Sequence, residues 1–213
     1  MKMTSLKING RTVSRLSING REVALGSASS DALCFTSKYN QATLRLSKLG
    51  NPDPINLQTS FDGKSWTPYN VGDTITIPKM GGKVYFKAVG SNGKLARSPS
   101  DYHKFEFTSD FDVSGNVNSL LEENEEVART MSLANREMCY ANLFSDTNLA
   151  TAPELPATTL AYGCYAMMFH NCSYLTKAPE LPAANLAENC YYNMFAGCGN
   201  LNYVKVGFDN WDP

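Results

Sequence analysis

The stretch CYAMMFHNCSYLTKAPELPAANLAEN, residues 164–189, decides the fold of the C-terminal part, because its features recur at fixed spacing. A second CY pair begins at Cys190, 26 residues later, and an earlier one begins at Cys139. The six residues Ala-Pro-Glu-Leu-Pro-Ala occur at 152–157 and again at 178–183. A period in the twenties is typical of leucine-rich repeats, in which each unit is one coil of a solenoid. The sequence therefore predicts repeats over 139–213, as units 139–163, 164–189 and 190–206.

Apolar residues within each unit recur in steps of four. They are Leu160, Cys164, Met168 and Cys172 in one unit, and Leu186, Cys190, Met194 and Cys198 in the next. Steps of four keep side chains on one face of an α-helix, so each unit is predicted to hold a helix of about three turns. The two prolines of the repeated motif exclude a helix interior and predict extended or turn geometry. Stacked coils would bury a continuous core that a single coil cannot bury.

The combination of CY, MF, Cys, Leu and APELPA resembles the leucine-rich-like repeats of surface proteins of gut Bacteroidetes and of proteins of their phages. The terminal VKVGFDNWDP resembles the segment that follows the last CY–MF unit in that group. Unit 139–163 departs from the pattern, because it is one residue shorter and lacks the second Cys. The resemblance covers about residues 133–213. It implies an adhesive or structural surface module and no chemical reaction.

The N-terminal residues 1–26 carry a second repeat, LKINGRTV at 6–13 and LSINGREV at 16–23. Asn-Gly between apolar residues is a strong hairpin signal, because both turn positions favour positive φ. The two turns predict a three-stranded meander with strands at about 3–8, 11–18 and 21–25. So small a sheet is marginal alone, so we interpret it as an anchor that packs on another protein. Its turn residues are Asn9, Gly10, Asn19 and Gly20.

Residues 32–110 contain strand-sized runs at regular spacing, which predicts a β-sandwich-like module. The runs are 42–47, 55–60, 74–77, 83–89 and 104–107. The stretch SFDGKSWTPYNVGDTITI resembles the β-module that often precedes the repeats in the same group. Residues 111–138, with four glutamates at 122–126, are interpreted as an acidic, solvated bridge. The predicted fold class is mainly β with a C-terminal α/β solenoid.

The charge of the chain is divided between its halves. Residues 1–110 hold 15 of the 19 Lys and Arg and 8 of the 20 Asp and Glu, so the two halves carry +7 and -8. The basic residues are scattered singly, without a run or a reading helix, which disfavours nucleic-acid binding. No stretch approaches the ~20 apolar residues of a membrane-spanning helix.

Residues able to support catalysis, a cofactor or a metal site are sparse. His103 and His170 are the two histidines, and neither has a base–orienter pattern around it. The paired cysteines, such as Cys164 and Cys172, are too far apart for a zinc site and have no histidine in a ligand pattern. We therefore expect no catalytic residue, no cofactor and no metal, and we interpret the cysteines as buried, reduced thiols.

The candidate partner-binding residues lie in the repeats. Glu154 and Glu180 recur at one repeat period and should stack on one face, as an acidic ladder or as ordinary solvated carboxylates. Aromatic side chains are favoured in binding surfaces, and the candidates are Tyr165, Tyr174, Tyr191, Tyr192 and Tyr203. Trp66 and Tyr69 of the β-module are the alternative, as a platform for stacking against a sugar, or as ordinary core aromatics.

The functional expectation is a non-enzymatic virion component of a Bacteroidetes phage: a fibre, tail or head-decoration protein. Its N-terminus would bind other virion proteins, and its repeats would bind a host-surface protein or glycan. The chain begins without the apolar run of a secretory signal, which favours assembly in the host cytoplasm. A bacterial cell-surface adhesin is the alternative. About three coils are needed for a stable stack, so we expect a homo-oligomer, with a trimer favoured, or a longer chain to cover the end of the repeats.

Overall fold

The computed structural model describes residues 31–210, and before them the backbone of four short strands. Two compact units are present, Met1–Asp31 and a second unit that begins at Ala32. In the first unit, the strands are β1 (Leu6–Ile8), β2 (Arg11–Val13), β3 (Arg15–Ile18) and β4 (Arg21–Ala24). β1 pairs with β2 and β3 with β4, in two separate antiparallel sheets.

These four strands differ from the predicted three-stranded meander. The stretch 11–18 is not one middle strand, because β2 and β3 belong to different sheets. Each Asn-Gly copy falls between the two strands of its own hairpin, since the ten-residue repeat supplies every copy with a strand on either side. The turn residues Asn9, Gly10, Asn19 and Gly20 lie outside the described residues.

A six-stranded sheet forms one layer of the second unit. Its order is β14-β13-β5-β10-β7-β8. The strands are β5 (Leu33–Ser37), β7 (Leu57–Ser60), β8 (Thr67–Tyr69), β10 (Lys83–Ala88), β13 (Phe111–Ser114) and β14 (Leu149–Thr151). Neighbours pair antiparallel except β13 and β14, which pair parallel.

A four-stranded antiparallel sheet of order β11-β12-β6-β9 forms the second layer. The strands are β6 (Ala42–Leu49), β9 (Ile75–Ile77), β11 (Ala96–Ser98) and β12 (Asp101–Phe107). Along β6, alternate residues Ala42, Leu44 and Leu46 are buried, as expected when one face of a strand meets the core.

Aromatic rings join the two sheets. Phe105 of the four-stranded sheet lies 4.6 Å from Phe35 and 5.3 Å from Phe86 of the six-stranded sheet, between ring centroids. Tyr69 meets Phe86 edge-on at 5.1 Å. The two sheets therefore pack face to face over one core, which confirms the prediction of a mainly β protein.

The segment predicted as a solvated bridge is partly built into this core. It supplies β13, a 3₁₀ helix (Val117–Leu120) whose four residues are buried, and the short helix α1 (Glu125–Arg129). The Asn124 side chain caps α1 by accepting from the Glu126 and Val127 amides. The acidic stretch around α1 and residues 134–137 are mostly exposed.

The repeats contain no long helix in the described part of the chain. Each unit instead contains a run of tight turns, at 137–146, 162–171 and 188–197, here named turn segments 1, 2 and 3. In each segment every fourth residue has a positive φ. These residues are Met138, Asn142 and Asp146; Gly163, Met167 and Asn171; and Asn189, Asn193 and Gly197. The helix prediction is thus wrong, because a left-handed residue at every fourth position ends each turn before an α-helix can propagate.

Backbone hydrogen bonds hold the turn segments together in a regular alternation. Within a segment, alternate amides donate to the carbonyl three residues earlier, as Ala166 does to Gly163 at 2.9 Å. The amides between them donate to the next segment, as Tyr165 does to the Cys190 carbonyl at 2.9 Å. Five such bonds of 2.7–3.1 Å join segments 1 and 2, and five more join segments 2 and 3.

Two aromatic ladders run through the segments. Phe105 of β12, Phe144, Phe169 and Phe195 stack with centroid spacings of 5.5, 5.6 and 5.7 Å. A second ladder of Tyr140, Tyr165, Tyr191 and Phe208 has spacings of 5.5, 6.0 and 6.0 Å. Because Phe105 belongs to the sandwich, the core of the sheets continues into the turn segments.

Candidate functional site

The two copies of Ala-Pro-Glu-Leu-Pro-Ala line a common groove of about 740 Å³. It is lined by residues 150–156, 176–180, Pro182, Tyr203 and Lys205. Three of the predicted binding residues, Glu154, Glu180 and Tyr203, are therefore brought together here.

Backbone hydrogen bonds join each copy to a neighbouring segment of the chain rather than to the other copy. In the first copy, the Glu154 amide donates to the Gly115 carbonyl at 2.8 Å, and its carbonyl accepts from Val117 at 3.1 Å. In the second copy, the Ala178 amide donates to the Tyr203 carbonyl at 2.9 Å. No backbone hydrogen bond joins the two copies within the described residues, and proline supplies no amide at four of their positions. This arrangement leaves space between the copies.

The repeated motif divides its side chains between core and groove. Leu155 and Leu181 are 3% and 1% exposed, so they anchor the two copies in the core. Glu154 and Glu180 are exposed. In each copy, the glutamate is followed directly by a buried leucine, so its carboxylate stands on a backbone that is anchored in the core.

Each carboxylate faces a basic side chain. A Glu180 oxygen lies 2.7 Å from Lys205 Nζ, and a Glu154 oxygen lies 3.7 Å from an Arg129 nitrogen. The hydrogen bond to Glu180 raises the pKa of Lys205. Exposed pairs of this kind add little stability, because solvent screens them, but they offset charge at the rim of the groove. The sequence left an acidic ladder and ordinary solvated carboxylates as alternatives, and in the structure both carboxylates are exposed and each lies near a basic side chain.

One aromatic ring is open in the groove. Tyr203 is 49% exposed, and Lys177 Nζ lies 5.2 Å from its ring centroid. Sequence reasoning missed Lys177, Arg129 and Lys205. Lys177 directly precedes the second copy of the motif, so extending the motif by one residue would have included it.

The other predicted tyrosines lie outside this groove. Tyr165 is 1% exposed and forms the middle of the tyrosine ladder, which corrects its prediction as a partner-binding residue. Tyr191 is half-buried in the same ladder, covered by Phe208. Tyr174 and Tyr192 are 51% and 54% exposed, away from the groove lining. The ladder buries Tyr165 and Tyr191 because identical positions of successive units stack on one another.

The alternative platform on the sandwich is not formed as a pair. Tyr69 is 8% exposed, and its hydroxyl accepts from the Leu46 amide and donates to the Asp73 carbonyl. Trp66 is half-buried, with Lys87 Nζ 4.5 Å from its ring centroid. Tyr69 is thus a core residue.

All six cysteines are unpaired and buried. Burial raises the pKa of Cys164 to about 12 and that of Cys172 to about 11, so both remain thiols near neutral pH. The thiols of Cys172 and Cys198 donate to the Phe144 and Phe169 carbonyls, at 3.1 and 3.0 Å. Thr147 stands at the position of the missing second Cys of the first unit, but it donates to the Phe144 carbonyl of its own unit at 2.7 Å, whereas both thiols donate to the preceding unit.

The histidines lie away from the groove lining. His103 is buried, and its Nδ1 donates to the Leu95 carbonyl at 2.8 Å. His170 is half-buried on turn segment 2. Among the described residues, no three metal-binding side chains gather into a cluster. No helix in this part of the chain has the length and apolarity to cross a membrane.

Comparison of the chain with protein-family models, with curated proteins and with solved structures found no match.

Proposed function

We propose that this protein is a non-enzymatic binding protein of a virion, and that its repeats attach to a host-surface glycan or protein. The groove between the two copies of the repeated motif carries this proposal. It combines an exposed ring, paired charges and two backbone segments that buried leucines anchor in the core.

The repeats act here as a short leucine-rich-like solenoid. The ten hydrogen bonds between turn segments and the two aromatic ladders support this interpretation. Stacked units hold repeated surface residues at constant spacing. The same sequence motif thereby builds both walls of the groove.

The chemistry of the groove favours a polar, uncharged ligand such as a glycan. Tyr203 offers a face for stacking, and the Glu154 and Glu180 carboxylates can accept hydrogen bonds from hydroxyl groups. Because each carboxylate faces a basic side chain, the groove carries no strong field of one sign.

The virion setting follows from the resemblance of the repeats to those of phage proteins, with the N-terminal hairpins as the contact to the particle. Six buried, unpaired thiols are compatible with assembly in a reducing cytoplasm. A bacterial cell-surface adhesin is the second candidate, because the same resemblance includes surface proteins of the host bacteria. Detection of the chain in purified phage particles rather than in outer-membrane fractions would decide between the two.

Binding of the labelled protein to an array of bacterial and mucin glycans, and to Bacteroidetes cells, tests the groove. Replacing Tyr203 by alanine should weaken binding about tenfold, as loss of an aromatic contact residue does. Tyr174→Ala is the matched control, since Tyr174 is equally exposed but lies outside the groove lining. Equal binding by the two variants, or equal loss, would contradict the groove as the attachment site.

A further inference from the structure

Each turn segment has one face that only donates hydrogen bonds and one that only accepts them. Amides that face the next segment donate to it, and carbonyls that face the preceding segment accept from it. Phe169, for example, donates to the Met194 carbonyl at 3.0 Å, whereas the Met168 carbonyl accepts from Phe144 at 2.9 Å. The remaining amides and carbonyls pair inside the segment. The stack is thus polar along its length.

Turn segment 3 ends the stack with its donor face. None of its forward-facing amides has an acceptor among the described residues, although all ten equivalent amides of the two preceding segments have one. These amides belong to Asn189, Tyr191, Asn193, Phe195 and Gly197. None of the five residues is buried. We name this surface the donor face.

Part of the donor face is already covered. Phe208 is 7% exposed and stacks on Tyr191 at 6.0 Å, so it continues the tyrosine ladder. No ring among residues 31–210 covers Phe195 in this way, and Phe195 is half-exposed as the last described ring of the phenylalanine ladder. The accessible part therefore runs from Asn193 to Gly197, around an aromatic ring that is stacked on one side only.

A donor face restricts its partner more than an ordinary sheet edge does. The edge of a β-strand presents both amides and carbonyls. If such an edge docked here, its carbonyls could accept hydrogen bonds from the donor face, but its amides would lie against other amides. A two-fold contact between two copies of the donor face would likewise place donors against donors. An anionic ligand is disfavoured, because the chain has no Lys or Arg between Lys177 and Lys205 and carries Glu188 and Asp209 nearby in sequence.

End-to-end stacking of two copies is also obstructed. The complementary acceptor face belongs to turn segment 1, and the sandwich already occupies it. The Leu95 and Phe105 amides donate to the Cys139 and Leu143 carbonyls, both at 2.9 Å. A second copy could reach this face only by displacing the sandwich.

We propose that the donor face is a docking site for the acceptor face of a turn segment of the same geometry on a different protein chain. Its carbonyls would bond the Asn193, Phe195 and Gly197 amides, and an aromatic ring would stack on Phe195. The spacing would continue that of the stack, with bonds of 2.7–3.1 Å and rings 5.5–5.7 Å apart. This site is separate from the groove and does not depend on its ligand.

Amide hydrogen exchange on the full chain tests the inference. In the free protein, the five donor-face amides should exchange at least about 100-fold faster than their counterparts in segment 2, because exchange requires an amide to lose its hydrogen bond. The intervening amides, such as those of Tyr192 and Met194, should remain protected. Equal exchange of the two sets would overturn the assignment of a donor face.

A synthetic peptide with the sequence of residues 162–173 serves as the probe for docking, because it carries the carbonyls and the ring of turn segment 2. Saturating peptide should slow exchange at Asn193, Phe195 and Gly197 about tenfold, and a scrambled peptide should not. Phe195→Asp should abolish this protection and Tyr174→Asp should preserve it. Unchanged exchange in segment 2 verifies that each variant is folded.

Two results would overturn the proposal. Absence of protection at any soluble peptide concentration would show that the face does not accept such a segment. Protection that appears without peptide as the protein concentration rises, together with a dimer mass in light scattering, would show that a second copy is the partner.

Discussion

The β-sandwich and the stacked turn segments bury equally apolar side chains, but they satisfy their backbone groups differently. In the sandwich, the amides and carbonyls of each strand pair with neighbouring strands. In turn segments 1 and 2, half of the amides close turns and half donate to the next segment. The comparison teaches that apolar spacing identifies which residues are buried, whereas the left-handed positions determine where the backbone groups of the turn segments find their partners.

Substitutions in the phenylalanine ladder should give the largest difference in the free energy of unfolding between the middle and the end of the stack. Phe169 is fully buried between two stacked rings, whereas Phe195 is half-exposed and stacked on one side. Phe169→Ala should lower the free energy of unfolding by about 3–5 kcal/mol, the usual cost of removing a buried ring. Phe195→Ala should cost about half as much. Urea denaturation followed by circular dichroism measures both.

Similar losses for the two variants would mean that the end of the stack is as well packed as its centre. Two separate unfolding transitions, with only that of the repeats destabilised, would contradict the inference that Phe105 joins the sandwich and the repeats in one core.

Five of the ten strands in the two sheets of the second unit, β6, β7, β9, β10 and β12, overlap runs predicted from the sequence, whereas the turn segments were not predicted. Alternation of period two located β6 and β10 closely, because a strand that faces one core cannot be confused with another element. A step of four, as from Cys164 to Met168, fits both a helix and a run of four-residue turns. It therefore predicted which residues are buried but gave the wrong hydrogen bonds.

A signal for the turns was present in the sequence. Asn and Gly tolerate positive φ better than other residues, and they stand four apart at Asn189, Asn193 and Gly197. The groove was predicted only in part for a related reason. The repeat period placed Glu154 and Glu180 on one face, whereas their basic partners come from segments outside the repeated motif.

Substitution of Gly197 distinguishes the two backbones by the sign of its effect. Gly197 has φ +80°, and an added Cβ would collide with Asn171 Oδ1 and lie 3.0 Å from Asn171 Cα. Gly197→Ala should therefore destabilise the protein by about 1–3 kcal/mol. In a helix, the same change would stabilise by about 0.5–1 kcal/mol.

Gly199→Ala provides the matched control, because nothing lies within 4 Å of the added Cβ and the residue has no positive φ. Its thermal melting temperature should stay within the error of the wild-type value. A melting temperature that rises in Gly197→Ala would restore the helical interpretation.

The thiols give the smallest expected effect, which is a dependence of the free energy of unfolding on pH. It should arise mainly in the repeats, since they contribute five thiols and the sandwich contributes only Cys34. Burial raises the pKa of Cys172 from 9.0 to about 11. Below pH 9 the thiol is protonated in both states, so stability is unaffected. Between pH 9 and about 11 the unfolded thiol ionises first, and stability falls as the pH rises.

Cys172→Thr isolates this contribution, because Thr147 occupies the equivalent position in the first unit and is buried there without an ionisable group. The loss of unfolding free energy between pH 8 and pH 10 should be about 1 kcal/mol smaller in the variant than in the wild type. Cys198→Thr should show a smaller change, since Cys198 is 9% exposed and Cys172 is fully buried. Identical pH dependence in Cys172→Thr and the wild type would contradict the raised pKa, because it would mean that this thiol ionises as readily in the folded stack as in the unfolded chain.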